Sequence, residues 1–226
     1  MKLLAVETAT EACSAALSID GEVVEEFVVQ PRQHSRLILP MIDRLMADAQ
    51  LHPTQLDGLA FGAGPGAFTG VRIATGVIQG IAFGADLPVV PVSTLAAMSQ
   101  QALDDFTHYD WVLSSIDARL GEVYWGIYHR HDQHGVELIG DEVVVDAAHV
   151  CCPDIEGVGV GSGWSVYKEP LMERLEGNVL AVYDDYLPRA GVVAKLAVAD
   201  FARAEPVEKV RPVYLRNNVA KKSLKL

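Results

Sequence analysis

The most unusual segment of the sequence is Gly62-Ala63-Gly64-Pro65-Gly66-Ala67-Phe68-Thr69-Gly70-Val71-Arg72. Four glycines and a proline among residues 62–70 specify a backbone with φ values that glycine accepts most cheaply. The segment falls between a strand-like run and a helix predicted to start near Thr69, a fair N-cap. Free N–H groups and the helix dipole at such a junction suit an anion. Gly64, Gly66 and Thr69 are therefore candidate phosphate-binding residues. No Lys follows the final Gly, so this is not a P-loop. Ala67 stands where a dinucleotide fingerprint needs its last glycine. The alternative is a tight structural turn that lets helix and strand approach closely.

A second candidate is Glu7-Thr8-Ala9-Thr10, at the end of the first strand-like run. An acid and two hydroxyls, Glu7, Thr8 and Thr10, could hold metal and phosphate there. The Cβ of Ala9 obstructs close approach of a phosphate, which argues for a weakened site. The alternative is a strand end with a polar turn. Asp117 and Arg119 could bind a polar ligand across a cleft, but the sequence favours their pairing with each other. His129, His131 and His134 cluster with Asp132 at a predicted exposed hairpin with nothing nearby to shape a metal site. Neither a His-Glu-x-x-His nor a His-x-x-x-His pair is present, and no Gly-x-Ser-x-Gly elbow. Cys13, Cys151 and Cys152 are odd in number, two of them adjacent, which suits neither a disulfide framework nor a cysteine zinc site. These residues therefore argue against a metal site, while a Ser-His-Asp arrangement stays open on spacing alone.

A third feature is chemical only by what it leaves out. Gly76, Gly80 and Gly84 recur every four residues and share one helix face. Each costs about 1 kcal/mol against Ala in a helix interior. Close approach of another helix, internal or from another subunit, would offset that cost. The preceding helix carries Met41 and Met46, which suit an adaptable apolar contact.

The elements that must position these residues follow from periodicity. Strands are predicted at residues 2–8, 12–19 and 22–29, the last two joined by an Asp20-Gly21 turn. A helix over 35–50 has Leu37, Met41, Ile42, Leu45 and Met46 on one stripe, with irregular first turns around Pro40. A strand over 57–62, a helix over 69–85, a strand over 87–92 and a helix capped by Ser93 complete the first half. The second half repeats the rhythm, with strands over 111–117, 122–129, 136–145 and 157–161, a helical turn over 147–150, and helices over 167–175 and 188–204. Each half reads β-β-β-α-β-α with additions. The prediction is an α/β chain of two lobes, residues 1–105 and 106–226, on the duplicated plan of the actin-like (ASKHA, RNase H-like) ATPases. Active members of that class place an acid, a Gly and hydroxyls where Glu7 to Thr10 stand.

The chain has 226 residues, half of them hydrophobic, and a formal net charge of −12. That length allows a self-sufficient core. Residues 209–226 hold Lys209, Arg211, Arg216, Lys221, Lys222 and Lys225 and no acid, so the body carries 12 bases against 30 acids. Such a body repels a phosphate backbone, and the basic tail is the segment left for RNA or an acidic partner. No apolar run of about 18 residues is expected to span a membrane. Without a signal-peptide pattern, the reading is a soluble cytoplasmic chain.

Several of these segments together resemble a known family. Leu3 to Ser14 looks like its opening strand and turn, and Gly64 to Arg72 matches its glycine-rich signature. Asp117-Ala118-Arg119 with Glu122-Val123-Tyr124 resembles its second-lobe motif, and Pro212 to Arg216 its C-terminal signature. The family is TsaB, also called YeaZ, of tRNA threonylcarbamoyladenosine synthesis, and the resemblance spans essentially the whole chain. It implies a two-lobe actin-like fold and a non-catalytic paralogue of TsaD, whose His-x-x-x-His metal motif this sequence lacks. It implies a homodimer, a heterodimer with TsaD and a ternary complex with TsaE, with RNA binding resting on the complex. It implies no required cofactor, with weak or vestigial ATP or ADP binding at Glu7, Thr8, Thr10, Gly64, Gly66 and Thr69. The partner-binding helices would present Leu37, Met41, Leu45, Arg72, Gly76, Gly80 and Gly84. The rivals are a free-standing actin-fold ATPase or kinase and a glycoprotease-like peptidase.

Overall fold

A computed structural model describes residues 1–131 and 135–216. The first sheet contains β1 (Lys2–Glu7), β2 (Ala12–Ile19), β3 (Glu22–Val29), β4 (Gly58–Gly64) and β5 (Val89–Ser93), in the order β3-β2-β1-β4-β5. The second contains β6 (Trp111–Arg119), β7 (Glu122–His131), β8 (Gly135–Asp146), β9 (Gly157–Val160) and β10 (Val179–Tyr183), in the order β10-β9-β6-β7-β8. The two orders correspond strand for strand: a three-stranded antiparallel meander, then two parallel strands reached by crossovers. The strand β10, and a short helix α4 (Ser162–Val166) before α5 (Lys168–Arg174), were not anticipated from periodicity. At five residues each they carry too few repeats for a period to show.

Strand periodicity assigns the core. In β1, Leu4 and Val6 face α1 (His34–Asp48) and α2 (Phe68–Ala85), whose Ile38, Met41, Ile78 and Ala82 cover that side. Leu3 and Ala5 face the other side and pack under α6 (Ala190–Ala199). Both faces of β1 are covered, so its sequence is a continuous apolar run and not an alternation. The second sheet is covered on one face by α3 (Thr94–Asp105) and on the other by α4 and α5, around Trp125 and the wholly buried Trp164.

The two halves exchange helices. α3 follows β5 of the first sheet yet packs on the second, and α6 comes from the second half yet packs on the first. Glu25 on β3 anchors α6: it accepts from the Gly191 amide at 2.9 Å and pairs with Arg189 at 2.6 Å. A carboxylate beside those first-turn amides also interacts favourably with the positive end of the helix dipole. α1 runs unbroken through Pro40, which lies on its exposed side. The carbonyl left without an amide there can be hydrated.

Candidate functional site

The candidate residues gather at one end of the first sheet, beyond the C-terminal ends of β1 and β4, where the crevice of an open α/β sheet takes ligands. The chain itself fills this place. The Ala67 amide, at the N-terminus of α2, donates to the Ala9 carbonyl at 2.7 Å. Thr8 Oγ1 donates to the Gly70 carbonyl at 2.8 Å. A Cβ on Gly66 would lie 2.5 Å from the Ala9 oxygen, and one on Gly70 only 2.1 Å from the Thr8 oxygen. These two glycines admit the chain's own turn at 8–9 where a phosphate would otherwise approach. Gly64, with φ +106, would meet the Val213 carbonyl at 3.0 Å.

Three expectations are corrected here. Thr69 is not the N-cap: α2 begins at Phe68 with Ala67 as cap residue, because the bond to Ala9 already orients the first turn. Thr69 is exposed on the helix, and Thr10, half-buried, donates no contact to the loop. Glu7 and Thr8 are completely buried, so neither presents its side chain to a ligand. The residues present do not fit a nucleotide phosphate at this turn.

Glu7 is held by the Ala9 amide at 2.6 Å, with Thr94 Oγ1 at 3.4 Å from its other oxygen. Gly62 leaves space for that carboxyl, since a Cβ would sit 1.7 Å from Oε2. Burial pushes the Glu7 carboxyl up to about 7, against the opposing pull of these hydrogen bonds. The folded state then holds a proton that the unfolded chain has released, so stability is full below about pH 4.5 and falls as pH rises to about 7. The loss is on the order of 3 kcal/mol. Glu7→Gln is expected to flatten that part of the stability profile, read as melting temperature between pH 4.5 and 8. A profile identical to the parent would show that Glu7 does not titrate in this range.

The C-terminal segment closes over the same end. Val210 is buried and its carbonyl accepts from Gln79 at 2.9 Å; the Val213 amide donates to Ala63 at 2.8 Å. Tyr214 accepts from Arg72 Nε at 2.8 Å, and the Arg72 guanidinium lies 3.7 Å over the Phe68 ring. Arg216 then reaches the second half, donating to the Ala118 carbonyl at 2.8 Å and pairing with Glu122. The glycine-rich loop, the Asp117–Tyr124 segment and the C-terminal signature, far apart in sequence, are thus joined. Asp117 and Arg119 do pair with each other, at 2.9 Å, and Tyr167 donates to Asp117 at 3.1 Å.

Sequence reasoning missed a polar cluster between the two halves. Ser93 caps α3, accepting from the Leu95 and Ala96 amides at 3.1 and 3.2 Å. It also donates to Glu142, as does Tyr128. Desolvation raises the Glu142 carboxyl above its ordinary value. The cap was legible in the sequence, but nothing in the alternating β8 pattern singles out Glu142.

The outer face of α2 is open. A Cβ on Gly76, Gly80 or Gly84 would meet nothing within 4 Å, so no internal helix accounts for the stripe. Phe83 is 81% exposed beside it. A shallow groove of about 600 Å³ runs there, lined by Gln79, Gly80, Phe83, Val207, Glu208 and Arg211. α2 is also, among the described residues, the helix whose length and composition alone would suffice to cross a membrane. Its inner face packs on β4 through Val71, Ala74 and Ile78, which marks a core helix with one open side. The α1 residues are corrected. Met41 and Leu45 are each only 4% exposed and Leu37 is half-buried, all against the chain's own core. They support the surface from beneath.

Among the described residues no three His, Cys, Asp or Glu side chains gather as a metal site. Asp132 and His134 of the histidine cluster lie outside the described residues, as do Lys221, Lys222 and Lys225. His129 packs against Trp111, with ring centroids 4.3 Å apart.

Comparison with known proteins agrees with this architecture. Residues 23–164 match the family described as TsaD, tRNA N6-adenosine threonylcarbamoyltransferase. The chain is 42% identical to the tRNA threonylcarbamoyladenosine biosynthesis protein TsaB of Escherichia coli (strain K12), over 99% of this chain and 98% of that one. It is 38% identical to TsaB of Haemophilus influenzae, over 99% and 97%. The solved structure of YeaZ from Pseudomonas aeruginosa superposes with a TM-score of 0.86 at 40% identity, covering 95% of this chain and 99% of that one. Full-length likeness to these proteins, on a fold of two matching five-stranded sheets, places the chain in the TsaB (YeaZ) family of tRNA threonylcarbamoyladenosine biosynthesis proteins.

Proposed function

We propose that this chain is a non-catalytic scaffold and activator of TsaD, working in a TsaB–TsaD–TsaE complex that forms N6-threonylcarbamoyladenosine in tRNA. The observation that carries this reading is the outward glycine stripe of α2, Gly76, Gly80 and Gly84, open to a helix from outside. Gly76 and Gly80, interior to the helix and facing empty space, cost about 2 kcal/mol, and the folded chain packs nothing against them or against Gly84 near the helix end. A partner helix seated on them can approach at backbone distance. Arg72 closes one end of the stripe, and Phe83 with the groove beside Gly80 lies near the other.

The chain requires no cofactor of its own in this reading. The place for a phosphate is taken by the Ala9 carbonyl, and Glu7 is too deeply buried to hold a metal–nucleotide complex. Activation then proceeds by differential binding: docking favours the TsaD conformation that transfers the threonylcarbamoyl group. A homodimer through the same face would compete with the heterodimer.

The test is labelled threonine incorporation into tRNA with TsaD, TsaE and TsaC, the family's supplier of the threonylcarbamoyl intermediate, together with ATP, bicarbonate and Mg²⁺, with and without the chain. The expected result is strong dependence on the chain and no ATP turnover by the chain alone. Equal incorporation without it would remove the assigned role. Metal-dependent ATP turnover by the lone chain would return the ATPase reading to the front.

A further inference from the structure

The end of the molecule that holds the glycine loop differs in charge from the rest. β3 ends there at Val29, α1 and α2 begin there, and the C-terminal segment crosses it toward the β6–β7 turn. Arg32, Arg36 and Arg72 are exposed at this end, and among the described residues no carboxylate pairs with any of them. Arg119 and Arg216 are also here, and they neutralise Asp117 and Glu122. The exposed acids here are Glu11 in the β1–β2 turn and Asp146, which lies across from Glu122 at the end of β8 with His149 beside it at 3.6 Å. Asp57, Asp86 and Glu205 lie toward the opposite end of the sheet, before β4, after α2 and beside the start of β5. A chain of net charge −12 thus concentrates unpaired guanidinium groups on one end. The sequence beyond Arg216 adds three lysines and no acid.

Two aromatic rings stand among these arginines. Phe68 is 54% exposed and Tyr214 45%, with ring centroids 5.8 Å apart and Arg72 held between them. Exposed rings beside guanidinium groups form the platform on which unpaired bases stack while phosphates are neutralised. An acidic protein partner would use the charges but leave the rings solvated. The net negative charge does not forbid this, because at physiological salt a charge is felt over about 8 Å.

We propose that this end contacts RNA directly, taking backbone phosphates on Arg32, Arg36 and Arg72 and a base on Phe68. The proposal goes beyond the scaffold role and depends on it only for RNA as the class of partner.

The test is fluorescence anisotropy of a fluorescein-labelled 12-nucleotide oligouridine with the full chain, between 20 and 200 mM salt. Neutralising about three phosphates on a single strand gives a log–log salt slope of about −2. The double variant R32Q/R36Q, which leaves Arg72 at the edge of the α2 face in place, is expected to weaken binding about tenfold and to reduce the slope to about −0.7, the value for one remaining phosphate contact. Phe68→Ala is expected to weaken binding about tenfold with the slope unchanged, since stacking carries no counterion release. Melting temperatures of these surface variants check that they remain folded. No binding by the parent at 20 mM salt, or variants that bind like the parent, would overturn the proposal. So would equal affinity for a labelled decaglutamate peptide, which would assign the surface to an acidic protein. Gly80→Leu separates this proposal from the scaffold reading: it should lose TsaD docking and keep RNA binding. Absence of RNA binding by the parent chain, with threonine incorporation still dependent on the chain, would overturn this surface alone.

Discussion

Gly80→Leu is expected to weaken TsaD binding and self-association at least tenfold and to raise the melting temperature of the chain. The two directions have separate causes. A Cβ at Gly80 meets nothing within 4 Å, so the folded monomer accommodates the new side chain without repacking. Leu is a better helix former than Gly by close to 1 kcal/mol. For a chain of this length that corresponds to a rise of roughly 2–4 °C. The same side chain stands off the helix surface and keeps an incoming helix from approaching at backbone distance, and a loss of at least tenfold corresponds to at least about 1.4 kcal/mol. Calorimetry of the monomer, sedimentation with TsaD and threonine incorporation measure the three quantities. A variant that is more stable yet inactive in the mixture would show that the glycines serve an encounter outside the chain. Full activity would remove the α2 face from the interface.

Gly70→Ala is expected to do the reverse: to destabilise the chain by about 3 kcal/mol or more, with no effect traceable to nucleotide. The new Cβ would lie 2.1 Å from the Thr8 carbonyl and 3.1 Å from its carbon, both backbone atoms that cannot swing aside. Relief requires separating the 8–9 turn from α2, which also strains the Ala67–Ala9 hydrogen bond and Thr8 Oγ1 on the Gly70 carbonyl. The expected drop in melting temperature is on the order of 6–12 °C. Millimolar Mg–ATP should leave the parent's melting temperature unchanged, because a ligand of the folded state stabilises only in proportion to its occupancy. A clear rise with ATP, lost in Gly66→Ala, would show that the loop opens to admit a phosphate. Gly76→Ala, on the open face of the same helix, is the matched control and should stabilise.

These opposite signs show how far the sequence can be read. The spacing of Gly62, Gly64, Gly66 and Gly70 marks a backbone that must pass close to something: the Glu7 carboxyl at Gly62, the Val213 carbonyl at Gly64, and the chain's own Thr8–Ala9 turn at Gly66 and Gly70. An approach distance depends on two segments some sixty residues apart, so local pattern could not choose between phosphate and carbonyl. Gly76, Gly80 and Gly84 were legible as one helix face, but whether that face turns inward or outward is set by the packing of α2 on β4. The same limit explains Met41 and Leu45. Their stripe correctly marked the buried side of α1, and the structure shows that the core beneath it belongs to this chain.

By itself the sequence determined the repeated rhythm of a three-strand meander followed by crossovers, most element positions and the Ser93 cap, and it favoured the pairing of Asp117 with Arg119. These rest on hydrophobic period, turn chemistry and contacts between near neighbours, which short stretches of chain encode. The tertiary structure alone decided that α3 and α6 exchange sheets, that Glu142 meets Ser93 and Tyr128, and that the C-terminal segment joins the glycine loop to the β6–β7 turn. Each of these joins residues from distant parts of the chain, where side-chain periodicity carries no information about which surfaces meet. Their physical basis is the burial of sheet faces that neither half covers alone.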